Sequence, residues 1–410
     1  MEYKVIEGGG ITSPKGFTAG AVYVGVKSRK TQKPDVAVLY SETEASCAAV
    51  FTTNKFCAAP VILDREILKN GKARAIVINS GNANAATGTQ GIEDARTVER
   101  EAEKLLGVGE NEVFVCSTGV IGQKLPVEKV LDGVRQIIPA KLDKANGSDA
   151  AYAIMTTDTV RKESAYELEL SSGTIRIGAM AKGSGMIHPN MGTMLCGVTT
   201  DCAIDGQVLQ TMLREVVSKT FNRITVDGDT STNDTCVVLA NGLAGNPTIT
   251  GPGPDYDTFC AALRHVCEYE AKMIASDGEG AGRLITCTVQ GAESEEQAEL
   301  MAKAVVRSPL VKCAVFGTDA NWGRVLCAVG YSGAAFDPKD VEVKFLSQAG
   351  QLLVCSGGQG VPFDEDVAKT VLSQDEVVIL VTLTAGTASC SCWGCDLTYD
   401  YVKINGDYRS

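Results

Sequence analysis

Histidine and tryptophan are scarce in this chain: two of each among 410 residues, with aromatic residues only 6% of the total. Two histidines, His188 and His265, leave little room for imidazole-rich metal sites. No G-x-S-x-G is present, which removes the usual signature of a Ser-His-Asp hydrolase. A complete Walker A motif is missing, and no G-x-G-x-x-G follows a strand, so neither ATP nor a dinucleotide cofactor is indicated. Basic residues are in deficit, 38 Lys and Arg against 50 Asp and Glu, for a formal net charge of -12. That balance disfavours nucleic acid and anionic membrane surfaces, both of which need clustered positive charge. An anionic substrate would need a local cationic group to counter it. Apolar runs fall far short of the ~18 residues that span a bilayer. The start, Met1-Glu2-Tyr3-Lys4, carries an acid and no apolar h-region follows, so a cytoplasmic protein is expected. No fixed-period repeat is visible.

Apolar residues, by contrast, are plentiful. They make up 44% of the chain, enough for a large core and against disorder, and the length allows two or three domain-sized units. Fifteen cysteines, an odd number that excludes complete intrachain pairing, read as reduced small hydrophobes. Three of them crowd into Cys390-Ser391-Cys392-Trp393-Gly394-Cys395. Zinc takes four ligands at wider pair spacing, often with His, so buried thiols are the better reading there.

Strand and helix patterns alternate. Residues 36–40, 48–52, 73–79 and 113–116 read as strands, and 60–68, 92–106 and 126–138 as helices. Residues 150–155 suggest a short helix or turn, 165–170 and 175–180 a strand pair, and 194–198 and 236–240 buried strands. The clearest helices are 207–221 and 256–274. From residue 284 the pattern resets: strand, helix, strand, a helix near Trp322, strands near 341–346 and 351–355, a helix near Val367 and a strand at 377–383. Ser294 with Gln297 fits a capping box at the first of those helices. The expected class is α/β, with a core over residues 1–284, a second α/β domain over 285–410, and the boundary in the loop at 277–283. Polar loops of small residues, Ser80-Gly81-Asn82-Ala83-Asn84-Ala85 and Ser117-Thr118-Gly119, leave two early strands, a common place for pockets.

One stretch carries distinctive chemistry: Lys182-Gly183-Ser184-Gly185-Met186-Ile187-His188-Pro189-Asn190-Met191-Gly192-Thr193-Met194-Leu195. Its glycines let backbone approach closely, and its end runs into a buried strand. Between them the Thr193 hydroxyl can attack the Gly192 carbonyl, turning the peptide bond into an ester that water cuts. Thr193 then becomes a new N-terminus that holds both a nucleophile and its own base. A free α-amino group has a pKa of roughly 7.7–8.0, suited to taking the Thr hydroxyl proton near neutral pH. On local sequence alone, a Thr opening a core strand is the plainer reading.

The stretch resembles the self-cleaving ornithine acetyltransferases, or glutamate N-acetyltransferases, of arginine biosynthesis. Three further blocks resemble the same family in the same order. They are Asn222-Arg223-Ile224-Thr225-Val226-Asp227-Gly228-Asp229-Thr230-Ser231-Thr232-Asn233-Asp234, then Asp277-Gly278-Glu279-Gly280, and the run from Trp393-Gly394-Cys395-Asp396 to Asp407-Tyr408-Arg409-Ser410. Two departures are visible: Gly rather than Ala precedes the nucleophile, and His188 is an addition. Neither removes a functional group. The resemblance implies a layered αββα sandwich with a C-terminal α/β domain and self-cleavage at Gly192-Thr193. It also implies ping-pong transfer of acetyl from N-acetyl-L-ornithine to L-glutamate through an acetyl-Thr193 ester, without metal or organic cofactor. Thr118 and Gly119 match the family's oxyanion hole, and Thr156, Lys182, Thr193, Glu279, Asn405 and Ser410 its substrate contacts. Lys182 would pair with the substrate carboxylate and Glu279 with the ornithine ammonium. The family assembles its two fragments into an α2β2 heterotetramer. Acetyl-CoA as a second donor is left open.

Rival readings exist. Asp227-Gly228-Asp229-Thr230 after a strand is how haloacid-dehalogenase-type phosphatases present their carboxylates, although no companion Lys and acidic pair follows. An aminopeptidase or amidase of the same self-cleaved kind would use water in place of glutamate, and a non-catalytic amino-acid-binding protein would neither cleave nor transfer. His188, five residues from Thr193, reads as a loop histidine, because a terminal amine needs no second base. The cleavage reading predicts fragments 1–192 and 193–410 on a denaturing gel and a second amino terminus at Thr193. Fully active material with Met1 as its only amino terminus would overturn it.

Overall fold

The computed structural model describes residues 3–27, 32–188 and 194–407. Among these, sixteen strands and eleven α-helices form two sheets, so the α/β class holds. The first sheet contains β1 (Lys4–Val5), β2 (Phe17–Val22), β3 (Val36–Phe51), β4 (Lys72–Asn82), β5 (Val113–Val120), β6 (Lys162–Leu170), β7 (Gly173–Lys182) and β8 (Leu195–Thr200). β9 (Ile224–Thr225) leaves for the second sheet and β10 (Thr235–Ala240) returns. The order is β1-β6-β7-β8-β10-β3-β4-β5, with β2 also on β3. β8–β10 and β4–β5 run parallel and the other pairs antiparallel.

β3 is the seam. The runs at 36–40 and 48–52 are one strand, and Glu42 and Glu44 between them hide its continuity. Its register on β4 breaks between Tyr40 and Ala45. Its first half pairs with β2 and β4, and its second half with β10. Period-2 alternation on β10 sends Val237 and Leu239 into the core that holds Ile76, Val77 and Phe114 of β4 and β5. Cys236, Val238 and Ala240 face the other way, onto Leu213 and Phe259. The two halves of the sheet therefore share one inner core.

Helices cover the outer faces: α1 (Ala59–Ile67), α2 (Gly88–Leu106) and α3 (Val127–Ile137) beside β2–β5, α4 (Gly147–Ile154) against β2, and α5 (Gly206–Ser218) and α6 (Pro254–Ser276) beside β3, β6 and β7. The layers run helix, sheet, sheet, helix. Burial on both faces explains why these strands read as continuous apolar runs.

The second sheet adds β11 (Leu284–Ala292), β12 (Glu342–Ser347), β13 (Gly350–Ser356), β14 (Gln359–Gly360), β15 (Glu376–Thr382) and β16 (Ala388–Cys395). Its order is β14-β13-β12-β15-β11-β16-β9. α7 (Glu295–Arg307), α8 (Pro309–Phe316), α9 (Trp322–Gly330) and α10 (Glu365–Leu372) accompany it. The Ser294 hydroxyl accepts from Gln297 N–H at 3.1 Å, the predicted cap of α7. The strand expected between α7 and Trp322 is instead α8: Ser308 accepts from Val311 N–H and Pro309 sits at the first turn, both helix-initiating features. A last helix, α11 (Tyr399–Asp407), buries none of its residues and so carries no apolar periodicity in the sequence. The thiols of the Cys390–Cys395 run divide between faces, Cys390 and Cys392 into the core under β11 and Cys395 toward α6. No described helix is long and apolar enough to cross a membrane.

Candidate active site

A cleft of about 100 Å³ opens at one end of the sandwich, between the two halves of the first sheet. Thr118, Gly119, Ala83 and Ile121 form one wall, from β5 and the segments that follow β4 and β5. Lys182, Gly185, Met186, Met194 and Leu195 form the other, from the end of β7 and the approach to β8. Thr156, Asn233, Asp234, Glu279 and Asn405 complete it. Six residues singled out in the sequence thus share one cleft: Thr118, Gly119, Thr156, Lys182, Glu279 and Asn405. Gly192, Thr193 and Ser410 lie outside the described residues. Met194, which follows Thr193 in the chain, lines the cleft, and Leu195 pairs with Lys182 across β7 and β8.

Backbone geometry makes the first wall. β4 and β5 run in register, Ser80 opposite Thr118 and Gly81 opposite Gly119, with an irregularity at Asn82. Gly119 has φ +134°, and a Cβ there would collide with the backbone of Gly81 and Asn82. That position accepts glycine alone, and Gly119 lines the cleft. Asn233 stitches the halves together: its amide donates to the Ala83 carbonyl at 2.6 Å and to the Ser117 carbonyl at 2.8 Å.

The second wall is held by buried charge. Lys162, fully buried on β6, pairs with Asp158 at 2.8 Å and Asp277 at 2.5 Å. Asp158 also accepts from Thr156 N–H at 2.9 Å and Gly183 N–H at 2.6 Å. Asp277 accepts from the Thr159 hydroxyl and from Thr159 N–H, and its carbonyl accepts from the Ser184 hydroxyl at 2.7 Å. Three segments are clamped: Thr156–Thr159, Lys182–Ser184, and the loop carrying Glu279. Burial pushes the Asp158 carboxyl up, but the Lys182 and Lys162 ammoniums and these donors outweigh it, holding the group well below the usual carboxylate range. Burial lowers Lys182, while Asp158, Glu279 and Asp234 work to keep it charged.

Glu279 N–H donates to the Ser184 carbonyl at 3.0 Å, and the Asn405 amide donates to Glu279 Oε2 at 2.7 Å. A Cβ on Gly185 would collide with the Glu279 carboxylate, which explains that glycine. α11 brings in Asn405 and is anchored by Thr398, whose hydroxyl donates to the Gly280 carbonyl at 2.6 Å.

Asp227 is committed elsewhere. Its carboxylate accepts from Met186 N–H at 2.7 Å, Ile187 N–H at 2.9 Å and Asp229 N–H at 3.1 Å. This corrects the phosphatase reading of Asp227 and Asp229: the carboxylate holds the 184–188 loop, including Met186 at φ +58°. His188 shares a hydrogen bond with the Thr225 hydroxyl at 3.1 Å. Burial, with Lys303 and Arg307 nearby, pushes its imidazole down to about 4, so it is neutral at pH 7. Asp158, Lys162, Asp277 and Asn233 hold the segments that carry the candidate residues, and the sequence alone assigns them no role. Arg161-Lys162-Glu163 looks like a surface charge run, and only the strand's pairing turns Lys162 inward.

The ArgJ family model matches residues 18–410. The arginine biosynthesis bifunctional protein ArgJ of Caldanaerobacter subterraneus subsp. tengcongensis is 51% identical, covering 98% of this chain and 99% of its own. That of Symbiobacterium thermophilum is 52% identical, over 98% of this chain and 99% of its own. Among solved structures, ornithine acetyltransferase from Mycobacterium tuberculosis in complex with ornithine is 36% identical, covering 46% of this chain and 99% of its own, with a TM-score of 0.43.

Removing one partner of a buried ion pair costs about 3–5 kcal/mol, so Lys162→Met is expected to lower the urea midpoint far more than Lys4→Met, whose pair is exposed. Equal midpoints would contradict the clamp. His188 has a folded pKa of about 4 against roughly 6.5 unfolded. Its contribution is fully present above the unfolded value and is lost as pH falls through that window. Unfolding free energies of wild type and His188→Gln should therefore converge or cross in the variant's favour between about pH 6.5 and 4. A pH-independent difference would refute this.

Proposed function

This chain belongs to the ArgJ family, and on that footing we propose that its cleft transfers acetyl from N-acetyl-L-ornithine to L-glutamate in arginine biosynthesis. The observation that carries this reading is the convergence of Thr118, Gly119, Lys182 and Glu279 on one cleft beside Met194. In the proposed sequence, the Thr193 hydroxyl attacks the Gly192 carbonyl and the resulting ester hydrolyses. The freed α-amine then takes the Thr193 hydroxyl proton as Oγ attacks the acetyl carbonyl of acetylornithine. Gly119 N–H and the Thr118 hydroxyl hold the oxyanion, as donors placed where charge develops. The amide C–N bond breaks, the departing ornithine nitrogen takes the proton, and acetyl remains as an ester on Thr193. Glutamate's neutral amine attacks that ester, the acyl C–O bond to Thr193 breaks, the α-amine passes the proton lost by the attacking nitrogen to Oγ, and N-acetylglutamate leaves. Thr156, Lys182, Asn405 and Ser410 bind the amino-acid portion, with Glu279 receiving the ornithine ammonium.

Sheet order supports retention of both fragments. β7 and β3 precede the cleavage point, β8 and β10 follow it, and the order is β7-β8-β10-β3. Two strands of one fragment would lie between strands of the other, so separation would break two ladders. Such heterodimers would pair further into α2β2. For the second reaction implied by the relatives' name, acetyl transfer from acetyl-CoA to glutamate fits the same ester.

Thr118→Ala should lower kcat for acetylornithine and glutamate by about 10²–10³-fold with KM little changed, the cost of losing one oxyanion donor. An unchanged kcat would refute its role. Product formation from acetyl-CoA and glutamate alone tests the second donor.

A further inference from the structure

The cleft wall beside the oxyanion pair is apolar and rigid, in contrast to the charged wall opposite. Ala83 is 2% exposed; its N–H donates to the Val120 carbonyl at 2.9 Å and its carbonyl accepts from Asn233 at 2.6 Å. Behind it lie Ala58, Val61 and Ala85, each 1% exposed or less, with Ile121 packed against the same cluster. α1 closes the rear, Ala59 N–H donating to the Asn84 carbonyl at 3.0 Å. Every backbone group that could let Ala83 move is therefore tied to a neighbouring segment.

Resting on the acyl-transfer reading, we propose that Ala83 and Ile121 form the acyl-group subsite and limit the transferred group to acetyl. The tetrahedral carbon has four substituents. Its oxygen goes to Thr118 and Gly119. Its nitrogen leads to the amino-acid portion, which the charged wall of Lys182 and Glu279 receives. The attacking oxygen belongs to the residue that precedes Met194 in the chain, and Met194 lines the cleft. The remaining direction, taken by the methyl, faces the wall that follows β4 and β5. Ile121 lies two residues past Gly119, and Ala83 is bonded to the residue between them. A longer acyl chain would have to displace side chains already packed against a second apolar layer, and overpacked interiors resist such insertion.

One extra methylene in a pocket of this kind changes kcat/KM by about 10–200-fold. The test compares N-acetyl-, N-propionyl- and N-butyryl-ornithine as donors to glutamate, with self-cleaved wild type, Ile121→Ala and Ala83→Gly. Wild type should lose about tenfold or more per added methylene. Both variants should raise the butyryl-to-acetyl ratio of kcat/KM by about tenfold or more, each through a different atom of the wall. The ratio is internal to each variant, so partial loss of folded protein does not disturb it. Wild type that uses all three donors alike, or a ratio unmoved in both variants, overturns the subsite while leaving acetyl transfer intact. Wild type that makes no N-acetylglutamate from acetylornithine overturns the reaction assignment and this proposal with it.

Discussion

A lysine with no access to water, held between two aspartates, sets the geometry on which the cleft depends. Lys162 lies on β6, yet its partners come from the loop before that strand and from the end of α6. A buried ammonium is tolerable only when its charge is matched and its protons are taken up. Asp158 and Asp277 meet that demand, and each then uses its remaining lone pairs on the backbone of a functional segment. The desolvation cost of one cation is thereby converted into a fixed relation among Thr156, Lys182 and Glu279. Lys182, also buried, lies beside Asp158, whose charge works against the lowering that burial imposes on the lysine.

The opposite wall is fixed by uncharged means. Parallel pairing of β4 and β5 brings Gly81 and Gly119 close enough that a side chain at residue 119 has no room. Asn233 then ties that wall to the loop leading into β10. One wall is rigid through ion pairing and the other through backbone proximity, and the two halves of the sheet that bear them share a single core through the bent strand β3. Proximity of Thr118 and Gly119 to Lys182 and Glu279 is thus built into the sandwich itself.

The loop from Ser184 to His188 shows how a polar segment is kept in place without secondary structure. Asp227 receives two of its N–H groups, Val226 N–H donates to the Ile187 carbonyl at 2.7 Å, and the Thr230 hydroxyl donates to the His188 carbonyl at 2.8 Å. The motifs at 182–195 and 222–234 are therefore physical partners. The carboxylate that resembles a phosphatase nucleophile is a backbone clamp, and its environment raises it by burial while three N–H donors oppose that rise.

Local pattern was enough for most elements, because apolar periodicity and caps are properties of short segments: α1, α2, α3, α5, α6 and α7 and most strands, though not β2 or β16, follow from it, as does the glycine-rich approach to residue 193. Motif identity was enough for the family and for Thr118, Gly119, Lys182 and Glu279 as candidates. What local pattern could not contain was anything set by contacts between distant segments. The pattern between α7 and Trp322 reads as a strand, and the Ser308–Pro309 start makes that segment a helix. Two runs near residues 40 and 50 were one strand, because only pairing with β4 and β10 shows continuity through Glu42 and Glu44. Lys162 resembled any surface lysine until its strand was placed between β1 and β7 and its partners arrived from positions 158 and 277. Burial, the meeting of two walls and the commitment of Asp227 to backbone are relations across the fold, and a linear chain holds no distance between residues that far apart.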